Sequence, residues 1–200
     1  MSFTSQVEDP FSPSGRLDLP QLPAAIAPFW SDIDTSGEDS GAVYYRQTCD
    51  PDILDLVEAQ VVCSFPEYDD FHPDSAVVVT WYQVAESATN SSEVQLTSDA
   101  CVKLLCIIIV NNSFSQRNTF QVVLGAESDG FRSFALFLYP DIQWGGEQVQ
   151  IGFSSGSILF FMLPAARSPA VVNIDDGSNV GTPGLYVFRV DTTLVVEPGG

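Results

Sequence analysis

Along the second half of the chain, apolar residues come in short β-branched and aromatic runs separated by turn formers. The runs are "AVVVTWYQV" (76–84), "NTFQVVLGAE" (118–127), "SFALFLYP" (133–140), "EQVQIGFSS" (147–155), "SILFFMLP" (157–164) and "GLYVFRVD" (184–191). Each has the length and composition of a strand. Ser128-Asp129-Gly130, Gly145-Gly146 and Pro183-Gly184 punctuate them as turns. "TFQVVL" and "SFALFLY", joined across a short acidic turn, predict a hairpin. Earlier, "GAVYYRQ" (41–47) alternates as a strand does. "CDPDILDLVEAQVV" (49–62) switches to helical spacing, with Ile53, Leu56, Val57 and Val61 on one face. Asp50 suits the N-cap, Pro51 the first helical position, and Asp52 the positive end of the helix dipole.

The first 28 residues carry Pro10, Pro13, Pro20, Pro23 and Pro28, a density that forbids a regular helix or a central strand and predicts an extended lead-in. No internal repeat is visible. The pattern predicts a mainly β fold with minor α (α+β), in which twisted antiparallel sheets pack as a sandwich-like scaffold with one or two short helices.

Residues 85–117 break the pattern. A polar segment and then an apolar decamer stand between evident strands, with no turn chemistry linking them. Thirty-three residues form a long excursion for a compact domain, so this is an atypical insertion: a variable loop, an inserted element or a gene-model artefact. The decamer, "CVKLLCIIIV" (101–110), is the longest apolar run; Lys103 interrupts it, and it is half the ~20 residues of a membrane span. "MSFTSQVEDP" has neither the basic start nor the apolar stretch of a signal peptide, as expected of a cytosolic protein and equally of a domain cut from a longer chain.

Charge narrows the partners. Seven Lys and Arg stand against 26 Asp and Glu, a net charge of −19, which excludes the clustered basic surface that nucleic acid requires. Anionic membranes are disfavoured for the same reason. With 45% hydrophobic residues the chain is still a folding one. Its four cysteines, at 49, 63, 101 and 106, are too few for a disulfide scaffold and lack the spacing of a structural zinc site. A helix over 51–62 would hold Cys49 and Cys63 about 20 Å apart, beyond disulfide reach.

Candidate chemistry is sparse. "DIDTSG" (32–37) opens like a calcium loop, lying between "APFW" and "AVYYR", which look like two strands joined by a polar turn. Asp32, Asp34, Ser36 and Gly37 match positions 1, 3, 5 and 6 of an EF-hand, but position 12 is Val43, so an EF-hand is excluded. A looser calcium site from Asp32 and Asp34, with Glu38 and Asp39, is the alternative to the favoured solvated acidic turn. His72, the single histidine, lies among acids in "EYDDFHPD"; without a nucleophile motif it reads as a surface loop residue. No carboxylate pair stands out as a glycosidase dyad. Asn90 and Asn111 head N-glycosylation sequons, both inside the insertion. Trp30, Trp81 and Trp144 invite a carbohydrate platform, although core packing is favoured; Trp144, before two glycines, is expected to be the most exposed.

"AAIAPFWSDIDTSGEDSGAVYYRQTCDPDILD", "VVVTWYQV", "NTFQVVLGAESDGFRSFALFLYPDIQW", "VQIGFSSG" and "NVGTPGLYVFRVD" occur here in the order of the nidogen-like (NIDO) domain family, which the chain resembles over roughly residues 3–191. The resemblance implies a non-catalytic extracellular module, secreted or in the ectodomain of a membrane protein, linked with cell–matrix adhesion or matrix assembly. It also implies extracellular matrix or cell-surface proteins as partners, and neighbouring EGF or sushi modules in the parent chain. On this reading residues 1–17 are a truncated start and lead-in, 18–191 the domain with its insertion at 85–117, and 192–200 a tail. A carbohydrate-binding module or a structural spacer is the alternative.

Overall fold

A computed structural model describes residues 24–37, 40–87, 116–128, 131–156 and 159–199. The lead-in 1–17, nearly all of the insertion, and with them Asn90, Asn111, Cys101 and Cys106 lie outside the described residues.

Among the described residues, nine strands and one α-helix follow in the order β1 (Ala24–Trp30), β2 (Ile33–Asp34), β3 (Ala42–Thr48), α1 (Pro51–Ser64), β4 (Ser75–Glu86), β5 (Asn118–Ala126), β6 (Ser133–Asp141), β7 (Gln150–Ser155), β8 (Phe160–Met162) and β9 (Leu185–Arg189). Short 3-10 turns occupy Pro66–Tyr68 and Pro169–Asn173. The strands form two sheets, every pairing antiparallel. The smaller sheet runs β1-β7-β8; the larger runs β2-β4-β5-β6-β9, with β3 also on β4. β2 and β3 share one side of β4, β2 against Ala85 and Glu86, and β3 against Ala76 to Tyr82. The predicted hairpin is β5–β6, with Val122 opposite Phe137 and Leu124 opposite Ala135. The mainly β, sandwich-like architecture expected from the runs is present.

Period-two alternation in β6 divides the interior into two layers. Ala135, Phe137 and Tyr139 point toward the smaller sheet and join Phe29, Phe120, Ile151, Phe153 and Phe188. Phe134 and Leu136 point the other way and join Val57 and Val61 of α1, Phe65, Phe71, Val78, Val123 and Val187. Phe134 and Phe137 are fully buried on opposite faces, which explains why "SFALFLY" is apolar throughout rather than alternating. Phe137 stacks on Phe153 at a centroid distance of 5.1 Å, and Tyr139 Oη donates to the Pro28 carbonyl at 2.6 Å, tying the two sheets together.

The helix starts as its sequence dictates. Asp50 caps it, its carboxylate accepting from the Asp52 amide at 3.1 Å, and Pro51 opens the first turn. Its apolar face is narrower than the spacing predicts: Val57 and Val61 are buried and Ile53 half-buried, but Leu56 is 66% exposed. Helix α1 rests on a single sheet, so only the stripe at 53, 57 and 61 reaches it, and Leu56 lies one helical step (about 100°) to the side. Close approach is set by Gly125 on β5, where an added Cβ would stand 2.5 Å from Val57 Cγ1.

Three boundaries differ from the sequence reading. The end of the proline-rich lead-in is a strand, β1, on an outer edge of its sheet, and its register breaks between Ala27 and Trp30, where Pro28 lacks an N–H for the ladder. β1 pairs with β7, so "APFW" and "AVYYR" are not the two arms of one hairpin. β7 begins only at Gln150 because Glu147 and Gln148 form a turn, and β8 is confined to three residues.

Candidate interaction surface

The acidic turn between β1 and β3 folds on local hydrogen bonds. Asp34 Oδ1 accepts from the Ser36 amide at 2.8 Å and the Ser36 hydroxyl at 2.6 Å, the pattern of an Asx turn. The Ser36 hydroxyl and amide together hold the Asp34 carboxyl below its ordinary pKa. Ser40 Oγ accepts from the Gly37 amide at 2.9 Å, and the Asp32 carbonyl receives the Ser87 amide at 3.0 Å. Gly41 then turns the chain into β3 with φ +76°, passing so close to β4 that a Cβ would lie 2.2 Å from the Gln83 carbonyl oxygen. Glu38 and Asp39 lie outside the described residues. Among the described residues, no group of three or more His, Cys, Asp or Glu side chains gathers in a way that could hold a metal ion.

Beyond the turn, β3 stands as a ridge between two shallow grooves. One is lined by Phe29, Trp30, Asp32, Ile33, Val43 and Trp81. Its floor is aromatic: Trp81 stacks on Phe120 at 4.9 Å, and Phe29 lies 5.2 Å from Phe120 and edge-on to Trp144 at 5.3 Å. The other groove lies on the sheet face that carries α1 and is lined by Tyr44, Arg46, Val78, Thr80, Tyr82 and Gln121. Gln121 Nε2 donates to Thr80 Oγ1 at 2.6 Å in that groove. Tyr44 is 61% exposed, Tyr45 83% and Tyr82 49%. Sequence reasoning missed this tyrosine surface. Alternation in "GAVYYRQ" identifies a strand, but it carries no information on whether either face is covered.

Trp144, expected at the surface, is buried at 3% exposure. The cause is Asn118, itself fully buried. Its Oδ1 accepts from the Gln143 and Trp144 amides at 2.8 and 3.0 Å, and its Nδ2 donates to the Trp144 carbonyl at 2.9 Å. The loop is thereby pulled inward, and Trp144 Nε1 donates to the Val84 carbonyl at 3.0 Å.

His72 is on the open surface, with Nδ1 2.9 Å from Glu58 Oε2 and its amide donating to Glu127 Oε1 at 3.2 Å. Its hydrogen bond to Glu58, reinforced by that charge, raises its pKa. Nearby, Arg132 grips both oxygens of Glu127 at 2.7 Å and also pairs with Asp70. These ion pairs join α1, the loop after it and the β5–β6 hairpin. Cys49 and Cys63 are exposed free thiols.

Residues 1–192 match the nidogen-like domain. The chain belongs to that family. It is 33% identical to mouse alpha-tectorin over 183 residues, covering 84% of this chain and 7% of that protein. It is 34% identical to human nidogen-1 over 190 residues, covering 86% of this chain and 14% of that protein. With Dendrite extension defective protein 1 of Caenorhabditis elegans the identity is 24% over 180 residues, 90% of this chain and 14% of that one. The chain thus spans a small fraction of these relatives' length. No solved structure matches it.

Proposed function

We propose that this nidogen-like domain is a non-catalytic extracellular module, part of a longer secreted or membrane-anchored protein, acting by protein–protein recognition in cell–matrix adhesion or matrix assembly. One observation carries the reading: a match to the nidogen-like domain across residues 1–192, with one-third identity to nidogen-1 and alpha-tectorin over more than four-fifths of the chain. The surface chemistry supports it. The grooves beside β3 are shallow and open, and His72 sits on the exposed surface rather than in a cleft. A net charge of −19 favours basic patches on matrix or cell-surface proteins, drawn in by electrostatic steering. EGF or sushi modules are the proposed neighbours in the parent chain. A carbohydrate platform on Trp144 is ruled out by that residue's burial.

The test is binding of the folded domain to immobilised laminin, collagens and basement-membrane extract by surface plasmon resonance at two salt concentrations. Saturable binding that weakens as salt rises is expected, because screening shortens the reach of the acidic surface. Failure to bind any matrix or cell-surface preparation would remove the adhesive role and leave a spacer.

A further inference from the structure

β3 is joined to β4 along its whole length, from Ala42 opposite Tyr82 to Thr48 opposite Ala76. On its other side no strand pairs with it among the described residues. An unpaired edge is a template for another strand, and proteins usually blunt it with proline, lysine, a bulge or an inward charge. β3 has neither proline nor lysine, its register with β4 is unbroken, and all five of its inner residues, Val43 to Gln47, are exposed. Its single charge, Arg46, is exposed.

The composition of the edge identifies what fits it. In a chain with 26 acids, residues 41–49 ("GAVYYRQTC") contain none. A basic partner is attracted to acid-bearing surfaces, not to this strip. A second copy, itself at −19, meets no carboxylate along this strip. The strip is also complementary to itself. Antiparallel pairing about a two-fold axis at Tyr45 sets Tyr44 opposite the partner's Arg46, and Arg46 opposite the partner's Tyr44. On the other sheet face Tyr45 meets the partner's Tyr45. Cross-strand aromatic and Arg–aromatic pairs are among the favourable ones, and a two-fold axis makes the contact closed and isologous.

We propose that two copies of this domain associate through β3, joining their larger sheets into one continuous antiparallel sheet centred on Tyr45. The contact is one strand wide, so the dimer is weak and reversible. Adding the partner's strand beside Tyr44 also walls the groove lined by Tyr44, Thr80, Tyr82 and Gln121. The proposal needs only the fold and stands apart from matrix binding; either can fail while the other holds.

Sedimentation equilibrium of the 200-residue chain tests it across a hundred-fold concentration range starting at about 5 µM, in low and moderate salt. A monomer–dimer equilibrium is expected, and it tightens as salt screens the mutual repulsion. Tyr45→Lys, at a position 83% exposed, is expected to weaken the dimer at least about ten-fold while leaving the circular dichroism and melting temperature unchanged. Directly opposed residues of an antiparallel pair have Cα atoms about 4.5–5.5 Å apart, within disulfide reach. With the four native cysteines replaced by serine, since Cys49 and Cys63 are exposed thiols, Tyr45→Cys is therefore expected to crosslink two copies under mild oxidation, and Val43→Cys, which would face the partner's Gln47, is not. A monomer at every concentration in both salts, or a dimer unaffected by Tyr45→Lys, overturns the proposal. Equal crosslinking from Val43→Cys and Tyr45→Cys overturns the register.

Discussion

Replacing Asn118 by aspartate changes one buried atom and tests the clamp that holds Trp144 inside. The side chain is fully buried and makes three hydrogen bonds to the 143–144 backbone. Ionised, the new carboxylate still accepts from the two amides, but its second oxygen faces the Trp144 carbonyl with no hydrogen to share. Burial and this lost donor both disfavour the charge, so the folded-state pKa of the new acid rises above the ordinary ~3.9. Protonated, the acid donates to the Trp144 carbonyl much as the amide does. A rise of about three units corresponds to about 4 kcal/mol at neutral pH, at 1.36 kcal/mol per unit, a large part of a domain's ~5–15 kcal/mol stability. The folded pKa is the higher one, so stability is intact below ~3.9 and is lost as pH rises through the raised value. Urea unfolding of Asn118→Asp and the unsubstituted chain, followed by tryptophan fluorescence, should show a gap of about 4 kcal/mol at pH 7.5 that shrinks to about 1–2 kcal/mol near pH 5. Asn118→Ala abolishes all three bonds and should lose about 3 kcal/mol at both pH values. A gap for Asn118→Asp that is independent of pH would refute the reasoning. The clamp bears on the interaction surface as well, since Trp144 supports Phe29, which lines one groove.

Other outcomes follow from single contacts. Gly125→Ala drives a methyl to 2.5 Å from Val57 Cγ1 and should cost about 1–3 kcal/mol in chemical denaturation. Adding Val57→Ala makes room, so the double substitution should be less destabilising than the sum of the singles by at least about 0.5 kcal/mol. The Glu58 carboxylate raises the His72 pKa above 6.5, so that pair stabilises the fold below pH 6.5 and fades as pH climbs through the raised value. Melting temperatures of His72→Ala and the unsubstituted chain should therefore differ more at pH 6 than at pH 8.5. Asp34 is already engaged by Ser36, so millimolar calcium should neither release heat in calorimetry nor raise the melting temperature; a clear rise would reinstate Asp32 and Asp34 as ligands.

The strands and the helix were legible because the physics that makes them is local. Asp50-Pro51-Asp52 specifies a helix start through groups within three residues of one another, and the structure uses them that way. The β5–β6 hairpin is written in two adjoining apolar runs and a polar turn. Features decided by long-range contacts were not legible. Trp144 follows "DIQ" and precedes two glycines, a surface signal, yet it is drawn in by Asn118, 26 residues away in sequence. β1 reads as lead-in because its proline content argues against a strand, and only its position at a sheet edge beside β7 removes the objection.

The sharpest contrast is between β3 and β6. "AVYYRQT" and "SFALFLYPD" are both rich in strand formers, and composition alone places both among core strands. β6 has a neighbour on each side and a packed layer on each face, and it buries Phe134, Phe137 and Tyr139. β3 has a neighbour on one side and leaves Tyr44 and Tyr45 in solvent. The difference is one of position in the sheet, which is fixed by where the chain returns after α1 and β4, not by the strand's own residues. Large apolar side chains on an uncovered strand signal association more than they signal a core. In a chain this acidic, an edge free of carboxylates offers association less electrostatic resistance than an acid-bearing one. Fold and function here therefore part company at one strand: the residues that make β3 a strand are the same ones that the fold leaves available to a partner.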